Sequence, residues 1–254
     1  MRREFSYIFP DVPEDIDVSQ FDEQKVPRHV GVIMDGNGRW AKKRALNRLY
    51  GHKAGIEAVR ELIRTSSDIG VDFLTIYSFS TENWKRSSEE VSGLMNLFAK
   101  TMLAEVDGLH EENVRVKTIG NSRALPKDTR DAFDDAIEKT KDNTGLTLVV
   151  AVNYGGRDEI MHAVNKCVKD ALDSRRSSVD ENAFKNCLYT AGMPDPELII
   201  RTSGEMRVSN FLLWQLAYSE FVVTDCLWPD FDRYEYLRCL LTYMSRDRRF
   251  GNAK

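Results

Sequence analysis

The 254-residue chain lacks the signatures of several common protein classes. Its four cysteines form no CxxC pair and its four histidines form no HExxH pattern, so the sequence predicts neither a disulfide framework nor a zinc site. The longest apolar run, around residues 146–152, has the length of a strand and is far shorter than a membrane span. No apolar segment follows Arg2 and Arg3, which predicts no secretory signal. We therefore expect a soluble cytoplasmic protein with reduced thiols.

The chain also lacks a basic excess. It has 36 Lys and Arg residues against 40 Asp and Glu residues, a formal charge of −4, which disfavours general nucleic-acid binding. The net charge resides in residues 1–27, where seven acids and three bases are interspersed with three prolines. This composition predicts a flexible acidic arm over 1–27 and one domain, without linker or repeat, over 28–254.

Six short apolar runs, rich in β-branched residues, alternate with helical patterns beyond the arm. They are Val30–Met34, Phe73–Phe79, Val114–Ile119, Leu146–Val152, Leu198–Ile200 and Phe221–Thr224. Apolar residues recur every three or four positions over Glu89–His110, after a capping box formed by Ser87 and Glu90, and Pro126 suits the first turn of another helix. The alternation predicts a single α/β domain with a mainly parallel sheet flanked by helices. Such sheets bind ligands beyond the carboxyl ends of their strands.

The first predicted strand ends in a loop rich in glycine and polar residues. The loop and the basic stretch after it contain Asp35, Gly36, Asn37, Gly38, Arg39, Trp40, Arg48 and His52. Glycines let the backbone present N–H groups to an anion, and a helix start adds its dipole. Asp35 would repel an anion unless it holds a divalent cation, so the pattern predicts a cation that bridges this carboxylate to a diphosphate. A tight turn before a solvated basic helix is the alternative interpretation.

Two other motifs imitate known sites. Residues 36–41 match a relaxed dinucleotide-binding fingerprint, but the next strand begins only near Phe73 and no acid at its end is placed to bind a ribose. Residues 134–138 resemble the Asp-rich Mg²⁺ motif of all-α prenyltransferases, yet they lie in an amphipathic helical pattern without a second copy. We therefore interpret neither motif as a ligand site.

Polar residues also cluster after the second and fifth apolar runs. Those after the second are Ser80, Thr81, Glu82, Asn83, Trp84 and Arg86. Those after the fifth are Arg201, Arg207, Val208 and Ser209, on a turn that contains Gly204. The first group suits a site that binds an anion beside an apolar ligand, and the second suits a diphosphate clamp. The structural alternatives are a capped turn with a packing tryptophan and solvated surface arginines.

Seven segments, in order along nearly the whole chain from residue 28, resemble the cis-prenyltransferases of the undecaprenyl diphosphate synthase type. They are HVGVIMDGNGRWA (29–41), GHKAG (51–55), FSTENWKR (79–86), NYGGR (153–157), IRTSGEMRVSNFLLWQ (200–215), LWPDF (227–231) and RRFG (248–251). The resemblance implies a single α/β domain with a six-stranded, mainly parallel sheet in a homodimer. It also implies an enzyme that condenses isopentenyl diphosphate sequentially onto an allylic diphosphate, with farnesyl diphosphate the expected starter and undecaprenyl diphosphate the expected product.

The same resemblance implies roles for the residues at the strand ends. The allylic diphosphate is expected on Gly36, Asn37, Gly38, Arg39, Trp40, Arg48 and His52. Isopentenyl diphosphate is expected to bind to Arg201, Arg207, Val208 and Ser209. The space between the two substrates is expected to be lined by Ser80, Thr81, Glu82, Trp84 and Arg86. Asp35 and Asn83 are the expected catalytic residues, since Asn83 matches the residue proposed in the family to accept a proton. The expected cofactor is Mg²⁺, with Asp35 and Glu220 as its ligands.

Further expectations concern the product and the partner subunit. Arg249 and Gly251 match a tail motif that can reach the partner subunit's site. The helical pattern over Glu89–His110 is expected to form one wall of an apolar product tunnel, and we expect transient contact with the inner face of a membrane for product release. Ser203 stands where many bacterial members have glycine. The alternative, a non-catalytic subunit of a heteromeric synthase, is disfavoured because the Asp and Arg set is retained.

Overall fold

Each of the six apolar runs forms a strand of one sheet. In this computed structural model, which describes residues 3–175 and 177–247, the strands are β1 (His29–Ile33), β2 (Phe73–Ser80), β3 (Arg115–Ile119), β4 (Thr147–Tyr154), β5 (Leu198–Arg201) and β6 (Glu220–Val223). Their order across the sheet is β3-β4-β2-β1-β5-β6, and every neighbouring pair is parallel. The predicted fold class is therefore confirmed. Parallel strands covered on both faces are apolar throughout, and β1 and β4 are buried along their whole lengths.

Helices cover both faces of the sheet. They are α1 (Phe5–Ile8), α2 (Asn37–Lys43), α3 (Arg48–Ile69), α4 (Ser88–Glu111), α5 (Lys127–Thr140), α6 (Gly156–Asp173), α7 (Glu181–Lys185) and α8 (Arg233–Met244). Short 3₁₀ turns occur at Val18–Gln20, Glu23–Lys25, Thr81–Lys85, Ser122–Ala124, Gln215–Tyr218 and Trp228–Asp230. The larger core lies between the sheet and α3, α4, α5 and α8, and smaller clusters lie on the face of α6. Among the described helices, none is long and apolar enough to cross a bilayer.

The helix predicted over Glu89–His110 is α4, and its start shows half of the predicted capping box. The Ser87 hydroxyl accepts a hydrogen bond from the Glu90 N–H at 3.3 Å. The Glu90 carboxylate instead faces Arg86 and Arg48, at 2.9 and 3.4 Å. Pro126 immediately precedes α5, one position earlier than predicted.

The segment before β1 packs against the domain, which differs from the flexible arm expected from its composition. Phe5, Phe9 and Phe21 form an aromatic cluster, and Phe9 is almost fully buried against the larger core. An ion pair of 2.6 Å between Asp15 and Arg238 joins the segment to α8. The acids that suggested disorder lie mostly on the solvent side, while the few apolar residues between them supply the packing energy.

The β2–β4 ladder contains two compensating irregularities near its carboxyl end. Tyr77 pairs with Ala151 but Phe79 pairs with Val152, so Ser78 is an extra residue in β2. One step further, Asn153 is extra in β4, and its φ of +48° is left-handed. Because of the first bulge, Phe79 joins the larger core instead of continuing the alternation on the opposite face, where Tyr77 lies.

Candidate active site

The carboxyl ends of β1 and β5 bring two predicted site residues into contact. Ile33 at the end of β1 pairs with Arg201 at the end of β5, and Asp35 follows two residues later. The Arg201 guanidinium therefore donates to the Asp35 carboxylate, with 2.8 Å between Nη2 and Oδ2. The Arg201 side chain is 4% exposed and that of Asp35 is 32% exposed, so the carboxylate forms the open side of the pair.

The backbone of Asp35 is fixed from two sides. Its N–H donates to the Thr202 hydroxyl, its carbonyl accepts from that hydroxyl at 2.6 Å, and the Trp228 N–H donates to the same carbonyl at 3.0 Å. The Gly36 N–H donates to Asp35 Oδ1 at 2.7 Å. Gly36 has a φ of +109°, and a Cβ there would lie 3.1 Å from both Leu227 and Ser203. The position therefore requires glycine.

Electrostatics keep Asp35 ionised. Burial raises the pKa of its carboxyl, but the hydrogen bonds from Arg201 and Gly36 and the charges of Arg201 and Arg39 together lower the pKa below its usual range. A half-open, ionised carboxylate of this kind can bind a cation. Mg²⁺ is commonly held by one or two carboxylates together with substrate phosphates, so a single aspartate suits it. Among the described residues, no cluster of three acidic, His or Cys side chains offers an all-protein metal site.

Arg39 connects the first loop to the turn after β5. Its Nη1 donates to the Ser203 carbonyl at 2.9 Å, and its guanidinium also contacts the Ser203 hydroxyl. Glu205 lies 3.2 Å from Arg39 and also pairs with Arg207. Ser203 has a φ of +72°, a left-handed conformation that favours glycine.

The residues predicted to form a second diphosphate clamp lie around Arg201. Its Nη1 donates to the Ser209 hydroxyl at 2.7 Å and to the Arg207 carbonyl. Ser209 and Asn210 both have positive φ, so this turn is held in an unfavourable backbone conformation. The Arg207 side chain is 60% exposed and Val208 is half-buried.

A second basic group lies where α3 and α4 begin. Glu90 pairs with Arg86 and Arg48, and His52 lies beside both arginines. Burial, and then the charges of Arg86 and Arg48, lower the pKa of His52 to about 4, so this imidazole is neutral at pH 7. Burial and Arg48 also lower the pKa of Arg86. This corner therefore has more positive than negative charge in the absence of a ligand.

The turn after β2 is organised by Asn83 and Trp84. The Asn83 amide oxygen accepts from the Ser80 N–H at 3.0 Å, and Trp84 Nε1 donates to Asn153 at 2.7 Å. Glu82 accepts from Asn210 at 2.9 Å and contacts the Thr81 hydroxyl. Thr81, Glu82 and Trp84 thus brace the turn, while Ser80 and Asn83 reach the cavity described next.

One cavity of about 470 Å³ joins these groups to the apolar interior. Its polar end is lined by Asp35, Asn37, His52, Ser80, Asn83, Arg86, Arg201 and Ser209. Its apolar part is lined by Ile56, Val59 and Ile63 of α3, Leu97, Phe98 and Met102 of α4, and Ile76, Leu148 and Val150 of the sheet. Helix α4 therefore forms one wall of this cavity, and its role as the wall of a product tunnel stays a prediction. The polar end also contains three buried atoms without a partner among the described residues, Asn37 Oδ1, His52 Nε2 and Arg201 Nε.

Two predicted site residues lie elsewhere. Glu220 begins β6 beside Leu198, three residues before the level of Arg201, which at about 3.3 Å per residue is roughly 10 Å from it. It pairs there with Arg246 at 2.8 Å, so a magnesium site formed on Asp35 within one chain does not include Glu220.

Trp40 is turned away from the cavity, because its Nε1 donates to Asp230 at 2.6 Å and its ring lies under Arg44. Arg249 and Gly251 lie outside the described residues.

Three residues with clear roles in the site were not predicted. Thr202 fixes the Asp35 backbone, Glu90 holds Arg48 and Arg86, and Glu205 holds Arg39 and Arg207. Thr202 and Glu205 lie within the motif that contains Arg201, and a buried polar residue directly after a strand is a usable signal. Glu90 resembles an ordinary capping residue, and no pattern in the sequence distinguishes it.

Comparison with known proteins agrees with this geometry. Residues 33–251 match the family model described as "Putative undecaprenyl diphosphate synthase". An isoprenyl transferase of Clostridium tetani is 52% identical over 241 residues, which cover 93% of this chain and 94% of that protein.

Two solved structures share the fold. Lavandulyl diphosphate synthase from Lavandula x intermedia, in complex with dimethylallyl diphosphate, is 34% identical with a TM-score of 0.88, over 90% of this chain and 100% of that one. A probable undecaprenyl diphosphate synthase from Campylobacter jejuni is 29% identical with a TM-score of 0.74, over 89% and 99%.

The fold and the charged cavity are those of an enzyme that transfers prenyl groups. The chain belongs to the undecaprenyl diphosphate synthase family of isoprenyl transferases, the cis-prenyltransferases. The family resemblance and the enzyme class predicted from the sequence are thereby confirmed.

Proposed function

We propose that this chain is a Mg²⁺-dependent cis-polyprenyl diphosphate synthase, which condenses isopentenyl diphosphate sequentially onto farnesyl diphosphate to give undecaprenyl diphosphate. The observation that carries the proposal is one cavity in which Asp35, Arg86 and Arg201 open onto an apolar channel. Diphosphates require the charged end, and prenyl chains require the apolar part.

The allylic diphosphate would bind at the first loop. Arg39 and the neutral imidazole of His52 flank this position, and the unpartnered His52 Nε2 gains a partner when an anion binds. Mg²⁺ on Asp35 would neutralise charge on the diphosphate as it leaves. Arg39 and Arg48 add fixed positive charge at the same place, which stabilises the leaving group more as the allylic C–O bond breaks.

Isopentenyl diphosphate would bind at the second clamp, on Arg201, Arg207 and Ser209. Binding there places its double bond beside the allylic carbon, and this proximity replaces a bimolecular encounter. The new carbon–carbon bond forms as the allylic C–O bond breaks, and a proton is then lost. Asn83 is a weak base, since it is a neutral amide whose oxygen already accepts the Ser80 N–H. We therefore assign Asn83 to orientation and proton removal to the released diphosphate.

The apolar part of the cavity would hold the prenyl chain. Burial of each methylene there contributes about 0.8 kcal/mol, which favours elongation as long as the added methylenes contact apolar residues of the cavity wall. The finished lipid is expected to pass to a membrane, since water does not dissolve it.

A direct assay tests the proposal. Purified protein with Mg²⁺, farnesyl diphosphate and labelled isopentenyl diphosphate should yield butanol-extractable product, and EDTA should abolish incorporation. Mass analysis of the dephosphorylated lipid identifies its length. No incorporation with Mg²⁺ present would reject the proposed activity, and incorporation without a long product would reject the proposed product.

We also propose that the protein is a homodimer, which an apolar stripe on α6 supports. Met161, Val164, Val168 and Leu172 recur along one side of this helix and are between 38% and 73% exposed. A stripe of this kind suits contact with a second copy. Light scattering on the eluted protein should give twice the chain mass, and Val168→Glu should reduce it. A monomeric wild type would contradict this assembly.

A further inference from the structure

The end of the cavity furthest from Asp35 is polar and belongs to α3 and α4. Arg60 and Arg64 of α3 line it together with Glu105 and Glu112 of α4. At about 1.5 Å per residue, Arg60 lies roughly 12 Å along α3 from His52. The charged groups at the two ends of the cavity are thus separated by apolar wall.

A two-point ion pair joins the helices at this level. Arg60 Nε lies 3.0 Å from Glu105 Oε2, and Arg60 Nη2 lies 2.5 Å from Glu105 Oε1. A third bond, of 2.7 Å, joins Arg60 Nη1 to Glu57 on the same helix and fixes the guanidinium. The hydrogen bonds that Arg60 donates to Glu105 and Glu57 raise the pKa of Arg60, so its guanidinium stays protonated. Bidentate pairs of this geometry are directional as well as attractive.

This ion pair also places charged, partly exposed side chains in the otherwise apolar wall formed by α3 and α4. The Arg60 and Glu105 side chains are 45% and 27% exposed, and the neighbouring pair of Arg64 and Glu112, at 3.8 Å, is more exposed still. Beyond this level the apolar lining residues Ile63 and Leu109 lie among the charged groups of Arg64 and Glu112, so a prenyl chain that passes the Arg60–Glu105 pair must desolvate charged groups to gain further apolar contact. Further growth requires either separation of the pair or exposure of methylenes to water.

We propose that the Arg60–Glu105 pair is the end stop of the elongation cavity and so limits the length of the product. The inference rests on the proposed function, since it concerns the chain that grows from the Asp35 end. The pair acts on length alone: it lies far from the reacting carbons and leaves the first condensation unchanged.

The test compares products of the wild type with those of the double variant Arg60→Met/Glu105→Met. Methionine keeps similar side-chain length but removes the charge, so it extends the apolar wall. The mean product should lengthen by at least one five-carbon unit, while the rate of the first condensation stays within about twofold. Arg60→Lys, which keeps the charge, should give wild-type products.

The matched control is Asp107→Asn, two residues from Glu105 on α4. Asp107 pairs with Lys139 of α5 and does not line the cavity, so its loss should leave product length unchanged. Equal or shorter products from the double Met variant would overturn the end stop, as would equal lengthening by the control.

A binding measurement separates this inference from the proposed activity. Affinity for prenyl diphosphates of increasing length, measured by calorimetry without isopentenyl diphosphate, should stop rising at one length in the wild type and at a greater length in the double Met variant. If the wild type incorporates no isopentenyl diphosphate but this plateau shifts, the proposed activity fails and the end stop stands. If incorporation occurs and neither product nor plateau shifts, the end stop alone is wrong.

Discussion

Each end of the β-sheet carries an Asp–Arg ion pair. The two pairs have nearly the same N···O distance but differ in how far their side chains are exposed. At the amino end, Arg28 and Asp72 lie 2.9 Å apart, with side chains 67% and 49% exposed. At the carboxyl end, Asp35 and Arg201 lie 2.8 Å apart, but Arg201 is almost completely buried. The first pair is open to solvent, whereas Arg201 Nε is buried and has no partner among the described residues. The distance between two charged groups therefore does not indicate their role. Whether their other polar atoms have hydrogen-bond partners is more informative.

A buried histidine, His29, and a half-buried one, His52, show the same contrast between the two ends of the sheet. Burial is the first cause that lowers the pKa of each, to about 4. His29, at the amino end, has both ring nitrogens bonded, to the Pro194 carbonyl and the Thr75 hydroxyl, each at 2.7 Å. His52, at the carboxyl end, has an unpartnered Nε2 and two arginines beside it. One imidazole has both nitrogens bonded within the fold, and the other leaves Nε2 without a partner among the described residues at the wall of the cavity.

The largest expected effect concerns the two aspartates. Asp35→Asn removes the charge that would hold Mg²⁺ and should lower kcat/KM for isopentenyl diphosphate incorporation by at least about 100-fold. Asp72→Asn, its counterpart at the amino end, should change it by less than about twofold. Steady-state incorporation assays measure both, and circular dichroism melts check folding. Similar losses in the two variants would contradict a functional difference between the ends.

Substitution of the two arginines should change the stability of the protein by different amounts. Arg201→Gln leaves Asp35 without its buried partner and removes the bond to Ser209, so the free energy of unfolding should fall by about 2 kcal/mol. Arg28→Gln affects an exposed pair and should cost less than about 1 kcal/mol. Urea denaturation monitored by tryptophan fluorescence gives both values. An Arg201→Gln protein as stable as the wild type would show that the buried pair does not support the fold.

The histidines should differ in their response to anions. In the free protein both are neutral at pH 7, because the pKa of each lies near 4. Inorganic diphosphate should raise the pKa of His52 by about one unit, since a nearby negative charge favours the imidazolium, and should leave that of His29 unchanged. NMR titration of the imidazole protons follows each residue separately. A parallel shift at both, or none at His52, would place the anion elsewhere.

Most of the fold could be predicted from the sequence because its signals are local. Apolar runs alternate with helical periodicity, and each of the six runs forms a strand with bounds within two residues of those predicted. The residues that converge on Asp35 could be predicted because parallel strands end at one edge, and the ordered motifs identified the family. The segment before β1 was expected to be flexible because of its charged composition, but three phenylalanines within it pack together.

What could not be predicted depends on register and on distant partners. Glu220 lies between two of the ordered motifs, and its distance from Arg201 follows from its position at the start of β6, which the sequence does not mark. The Arg60–Glu105 pair joins residues 45 positions apart on two helices, and neither residue lies in a motif. Such contacts are set by how helices pack, which hydrophobic periodicity does not encode.

The bulge at Ser78 determines which face of the sheet the residues after it occupy. Ser78 is the extra residue in β2, and regular alternation across it would turn Phe79 to the face that Tyr77 occupies. The turn that carries Asn83 and Arg86 would then leave the sheet on the side opposite the cavity that both residues line. A deletion of Ser78 would keep Phe79 on the larger-core face, because Phe79 would then follow Tyr77 directly. The parity of β2, as much as the identity of its residues, therefore determines that Asn83 and Arg86 line the same cavity as Asp35 and Arg201.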